Sequence, residues 1–110
     1  RNVTGVQTCA LPISLSDEAF AREALCFLEA RSKGLRLIGP GARALRVETE
    51  DFRHIVLWSR PGAPFLCIES WTGYGDPVGY DGDLAGKPSM ILLAPGTTRT
   101  HRARYCVVQR

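Results

Sequence analysis

Long apolar runs are missing from this sequence: nowhere do about eighteen consecutive apolar residues occur, the length a helix needs to cross a bilayer. Lys/Arg runs interleaved with aromatics are missing too. With a formal charge of only +3 and its charges scattered as on a solvated surface, the chain does not read as a nucleic-acid binder. There is no C-x-x-C pair, no internal repeat and no low-complexity segment. Cys26, Cys67 and Cys106 are dispersed within apolar stretches, which predicts buried thiols in a reducing compartment instead of a disulfide framework. A cytoplasmic location and no membrane association are the corresponding expectations.

The opening stretch, RNVTGVQTCALPIS, fits none of the usual patterns. It carries a glycosylation sequon at Asn2-Val3-Thr4, a lone Cys9 and a Leu11-Pro12 break, with neither helical nor alternating periodicity. It also lacks the charged-then-apolar order of a signal peptide. Val3 to Ile13 is the direct translation of a short-read sequencing adapter, and Ser14 follows if the adapter's last base begins a serine codon. Residues 1–14 are therefore expected to be an adapter-derived scar and are set aside for fold reasoning. Removing Arg1 lowers the formal charge by one. Residues 15–110 are then expected to be the tail of a larger protein.

What is present is mostly strand. Ser16-Asp17-Glu18 before Ala19-Phe20-Ala21 predicts one capped helical turn. Short apolar runs then predict strands at Leu25–Leu28, Leu35–Ile38, His54–Trp58, Phe65–Glu69, Met90–Leu93 and Arg104–Val108. Ala44–Glu48 alternates, with Leu45 and Val47 on one side and Arg46 and Glu48 on the other. Lys33-Gly34, Gly39-Pro40-Gly41, Pro61-Gly62-Ala63-Pro64 and Pro95-Gly96 are the turns. Many short strands between Gly/Pro turns predict an all-β antiparallel sandwich or barrel. Trp71 to Pro88 reads as one long glycine-rich loop, a feature that is functional or disordered when it interrupts a compact domain.

Glu69 is the strongest candidate for chemistry. It closes an apolar strand and opens the glycine-rich loop, where a carboxylate is partly desolvated and suited to act as a base near neutral pH. Trp71, two residues on, suits a sugar, whose C–H face packs on an aromatic ring while its hydroxyls take hydrogen bonds. The plainer reading has Glu69 paired with a surface arginine and Trp71 filling the core.

The run Pro61-Gly62-Ala63-Pro64-Phe65-Leu66-Cys67-Ile68-Glu69-Ser70-Trp71-Thr72-Gly73 resembles the aldose 1-epimerase (galactose mutarotase) family, most nearly its bacterial LacX-like branch. Leu15-Ser16-Asp17-Glu18-Ala19-Phe20, Asp81-Gly82-Asp83-Leu84 with Lys87, and Leu93-Ala94-Pro95-Gly96 resemble further pieces of that branch in the same order. The resemblance spans residues 15–110 and implies the C-terminal part of a large antiparallel β-sandwich. It also implies a reaction that needs no cofactor and no metal, the interconversion of the α and β anomers of a free aldohexose. In that reaction a glutamate takes the proton of the anomeric hydroxyl while a histidine protonates the ring oxygen. Glu69 matches the base, and Trp71, Asp17 and Asp76 are the implied sugar contacts. Ser70, Gly75 and Thr97 depart from the branch's pattern without removing the base. His54 and His101 match no catalytic position of the family and are expected to face solvent or to pack structurally. The acid would lie upstream, so this chain alone is expected to be inactive.

Three rivals remain. A glycoside hydrolase needs two carboxyls flanking one bond, and Asp76 or Asp81 would supply the second. A non-catalytic carbohydrate-binding sandwich would use Trp71 and not Glu69. A metal site at Asp81-Gly82-Asp83 lacks the terminal glutamate of an EF-hand loop. The partner in the leading reading is a small sugar, with no nucleic acid and no membrane, and oligomeric state is left open.

Overall fold

The computed structural model describes residues 12–110; the sequon, Cys9 and most of the proposed scar lie outside the described residues. The described chain is all-β apart from two short turns of helix. The order is α1 (Asp17–Phe20), β1 (Leu25–Phe27), β2 (Gly34–Ile38), β3 (Arg43–Glu50), β4 (His54–Trp58), β5 (Cys67–Trp71), a 3-10 turn at Leu84–Gly86, and β6 (Arg102–Gln109). The strands form two antiparallel three-stranded sheets, β1-β4-β5 and β2-β3-β6. No helix among the described residues is long and apolar enough to cross a membrane.

The hairpins β2–β3 and β4–β5 each stay within one sheet, and the chain changes sheet between them. β1 and β2 part company, as do β3 and β4, so the chain crosses between layers at residues 28–33 and 51–53. Both crossings use a non-glycine residue in the left-handed region, Glu29 (φ 50°) and Asp51 (φ 61°). Asp tolerates that conformation better than most residues because its short side chain bonds locally. Here the Asp51 carboxylate takes both Arg99 Nε and Arg99 Nη2, the latter at 2.6 Å. The His101 ring, 5.2 Å from Phe52, sits 2.8 Å from the Asp51 carbonyl through Nδ1. This knot ties the β3–β4 crossing to the lead-in of β6.

Alternation on β3 sends Val47 and Thr49 inward, both buried, with Arg46 and Glu48 exposed. On sheet β1-β4-β5 the residues Phe27, Ile55 and Leu57 share one face, and Leu35 and Leu37 of β2 look toward them across a gap of about 690 Å³. The sheets touch at one side of this gap, where Tyr105 Oη donates to the Ile68 carbonyl at 3.3 Å. Val107, two residues along the same face of β6 as Tyr105, is mostly exposed. The inter-sheet layer is thus apolar but incompletely filled.

The capped turn at Asp17–Phe20 forms as expected, with Ser16 Oγ accepting from Ala19 N at 3.3 Å. Four expectations are corrected. Met90–Leu93 is not a strand: Pro88 and Pro95 bracket it, Ser89 has φ 74°, and no described strand pairs with it. Gly34 is not in a turn but opens β2, and the strand holding Glu69 starts at Cys67 and runs to Trp71. The three cysteines are half-buried, not buried.

Two outcomes follow for stability. A Cβ on Gly34 would stand 2.0 Å from the Val47 carbonyl oxygen, so Gly34→Ala is expected to pry β2 from β3 and cost about 1–3 kcal/mol, as overpacking does; urea denaturation measures it. The pKa of Asp51 is lowered, first by the hydrogen bond from Arg99 and further by the charges of Arg99, His101 and Arg53. The unfolded chain therefore takes up that proton at higher pH than the folded one, and the group's contribution is complete above the ordinary aspartate range and lost as pH falls through the lowered value. The stability gap between wild type and Asp51→Asn is expected to be full at about pH 7 and to narrow as pH falls below the ordinary aspartate range; denaturation midpoints measured downward from neutral pH decide it.

Candidate functional site

β4 is the middle strand of its sheet, and four of its five residues are buried. Its register with β5 pairs His54 with Trp71 and Val56 with Glu69. Because side chains alternate along a strand, His54, Val56, Glu69 and Trp71 emerge on one face, opposite to the face that carries Ile55 and Leu57. Cys26 of β1 joins the same row, across from Val56. Directly opposed side chains on such a pair stand about 4.5–5.5 Å apart at Cβ, so the carboxylate and the indole share a common floor.

The turn that brings β5 back is well specified. Pro61-Gly62, with Gly62 at φ 76° and Ala63 N bonded to the Arg60 carbonyl at 3.0 Å, has the pattern of a type II turn. Ser59 Oγ donates to the Phe65 carbonyl at 2.7 Å and closes the same loop. Trp58 and Phe65 rings pack 5.7 Å apart beside it.

Glu69 is half-buried in the middle of β5, and Trp71 Nε1 donates to Glu69 Oε2 at 2.8 Å. The structure therefore joins two of the sequence candidates directly, and Glu69 forms no ion pair with an arginine among the described residues. Asp17 sits on α1 and accepts from Gly62 N at 3.0 Å, fastening the helical turn to the β4–β5 turn. Asp76 lies in the long loop, largely exposed, with Lys87 Nζ 3.1 Å from its Oδ1. Neither of these carboxylates touches Glu69 or Trp71 through any described hydrogen bond. Asp81 and Asp83 gather no third metal-ligating side chain among the described residues.

The loop after Trp71 is folded back on itself. Tyr74 N donates to Ser89 Oγ at 3.2 Å, and a Cβ on Gly73 would meet that same oxygen at 3.3 Å. Ser89 pays for this contact with a left-handed backbone. Tyr80 Oη donates to the Asp83 carbonyl at 2.5 Å, and its ring fills the space above Gly82.

Of the two places expected for His54, solvent or a structural packing position, the structure gives the second. His54 is fully buried and does not face solvent. Its Nδ1 accepts from Glu29 N at 3.0 Å, and its ring meets Tyr74 edge-on at 5.1 Å. Burial lowers its pKa, against an upward pull from Glu29, while Arg53 lowers it and the Thr72 backbone raises it. A signal was available: His54 stands at the head of an apolar run, two residues before the partner of Glu69. His101 is tied to Asp51 instead and has no part in this face.

This chain is similar to LacX. The plasmid and chromosomal forms of Protein LacX from Lactococcus lactis subsp. lactis are each 30% identical to it over 86 residues, 76% of this chain and 28% of the relative. The chain thus spans just over a quarter of the length of the curated relatives it matches. No protein-family model matches it, and no solved structure does.

The loop closure is testable. Ser89→Ala removes the acceptor for Tyr74 N and keeps the strained backbone, so hydrogen exchange at the Tyr74 amide is expected to accelerate on the order of five- to tenfold, as for a lost bond of about 1 kcal/mol. An unchanged exchange rate would show that the loop is held elsewhere.

Proposed function

We propose that residues 15–110 are the C-terminal part of an aldose 1-epimerase-like sandwich, and that Glu69 is the base that takes the anomeric hydroxyl proton of a free aldohexose. The observation that carries this reading is the Trp71–Glu69 hydrogen bond on a half-buried strand face. It fixes Oε2 by an indole N–H and leaves Oε1 as the atom assigned to the hydroxyl. The same indole offers its ring to the C–H face of the sugar. General-base catalysis requires the carboxylate to be held within hydrogen-bond reach of the proton it removes, and β5 is a rigid support for it. The likeness to LacX and the all-β fold support the wider assignment to carbohydrate metabolism.

The rest of the cycle belongs to residues upstream. Proton delivery to the ring oxygen needs an acid on the opposite side of the sugar from Glu69. His54 is committed to Glu29 on Glu69's own face, and His101 to Asp51. The underfilled gap between the sheets and the unpaired Met90–Leu93 segment fit a sandwich whose remaining strands belong to a longer polypeptide. Asp17 and Asp76, kept as candidate sugar contacts, would have to exchange Gly62 and Lys87 for hydroxyls. The alternative, a non-catalytic carbohydrate-binding sandwich, shares Trp71 and gives Glu69 no chemical task.

Polarimetry on a freshly dissolved aldose separates the two. In a polypeptide with the upstream region restored, Glu69→Gln is expected to reduce mutarotation by about 10²–10⁴-fold, the usual range for a lost general base. Residues 15–110 alone should give only the spontaneous rate. An unchanged rate in Glu69→Gln, with sugar binding lost in Trp71→Ala, would install the binding module instead.

A further inference from the structure

The least explained side chain in the molecule is the His54 imidazole. Its Nδ1 accepts a hydrogen bond from Glu29 N, so the neutral ring carries its proton on Nε2. That Nε2 is buried and makes no hydrogen bond of normal geometry among the described residues, although the Thr72 backbone favours the protonated ring. A buried donor left unmade costs about 1–3 kcal/mol, a cost that a leucine at this position would avoid. The position is also over-determined. Ala30 N donates to the Arg53 carbonyl at 2.8 Å, and Arg53 Nε lies 3.4 Å from Glu29 Oε2, so the residue preceding His54 also clamps the Glu29–Ala30 crossing. The far edge of the ring meets Tyr74, and its cross-strand neighbour is Trp71.

We propose that His54, neutral and protonated on Nε2, is a positioning residue for Glu69: its ring is the fixed wall that holds Trp71 and Tyr74 in place, so that the Trp71 indole N–H stays on the Glu69 carboxylate. The Nδ1 side fastens the ring to the crossing loop, and the Nε2 side abuts the start of the loop that follows β5. The groups facing it are Glu29 and Arg53 from the crossings, Trp71 from β5, and Thr72 and Tyr74 from the loop. The link to catalysis rests on the reading of Glu69 as the base; the physical contact does not.

The two nitrogens allow a dissecting pair of variants. His54→Asn places an acceptor near Nδ1 and removes the far half of the ring, whereas His54→Gln keeps the reach toward Nε2. The readout is the ¹⁵N spectrum of the 110-residue chain, in which the indole N–H groups of Trp58 and Trp71 are the only two. In wild type the His54 nitrogens are expected to show a protonated Nε2 and a bare Nδ1, and the Trp71 indole proton is expected to lie downfield of that of Trp58. His54→Asn should remain folded, move the Trp71 signal toward that of Trp58, and speed its hydrogen exchange on the order of tenfold, the factor for losing a hydrogen bond to a charged group. His54→Gln should restore much of the displacement. A purely structural role predicts instead that Asn leaves the Trp71 signal in place, and that result would overturn the proposal. Should both variants fail to fold, the wild-type imidazole decides alone, because a proton on Nδ1 is incompatible with the Glu29 contact. In the intact enzyme, His54→Asn should lower kcat and leave KM unchanged. Full activity in Glu69→Gln would remove the base reading while the indole spectrum still reports on the contact.

Discussion

The structure depends on the register between β4 and β5. A slip of one residue would exchange the two faces of a strand, placing Glu69 and Trp71 against Phe27 and the inter-sheet layer and turning Ile68 and Ser70 toward the loop. What forbids the slip is that β4 is spoken for on both sides. Ile55 and Leu57 are buried toward the second sheet, and His54 and Val56 are buried beneath the loop. The short turn at Pro61–Ala63 then sets how far β5 must return before pairing. Strand burial on both faces is thus the reason a carboxylate can be carried at a defined height on a sheet of only three strands.

Much of this was legible because it is local. Six of the seven expected strands form, and the alternation in Ala44–Glu48 correctly separates Val47 from Arg46 and Glu48. The pairing of Glu69 with Trp71 was legible as proximity, since residues two apart on a strand share a face. The Met90–Leu93 run shows the limit of apolar content as a signal. It has the composition of a strand, but a strand exists only with a partner to take its backbone hydrogen bonds, and Pro88 and Pro95 leave only six residues between them to find one. Gly34 misled for the opposite reason: glycine is needed there because the Val47 carbonyl passes close by, a demand set by β3 and invisible in the local sequence.

His54 was illegible for a further reason. Its value lies in three contacts distant in sequence, with Glu29 before it and with Trp71 and Tyr74 after it. A histidine heading an apolar strand reads equally as a solvent-facing or a packed residue until the crossing loop is folded down on it. The same holds for Asp17 and Asp51. Each carries an exposed-looking carboxylate that the fold spends on a backbone or guanidinium donor far away in the chain. Polar residues at element ends are where sequence period says least and tertiary contact says most.

The site described here is one-sided, and strand geometry explains why. Residues that alternate along an antiparallel pair can place a base, an aromatic platform and a supporting ring on a common floor, because all three share one parity. They cannot place an acid facing that floor from above. A ring-opening reaction at an anomeric centre needs one group to remove a proton and another to deliver one from the far side of the sugar, so a single hairpin can hold only half of the apparatus, however well it is built. The second half must come from another layer or another element. On the proposed reading, residues 54–74 would hold the base and its footing in one short stretch, and the acid would have to come from another layer.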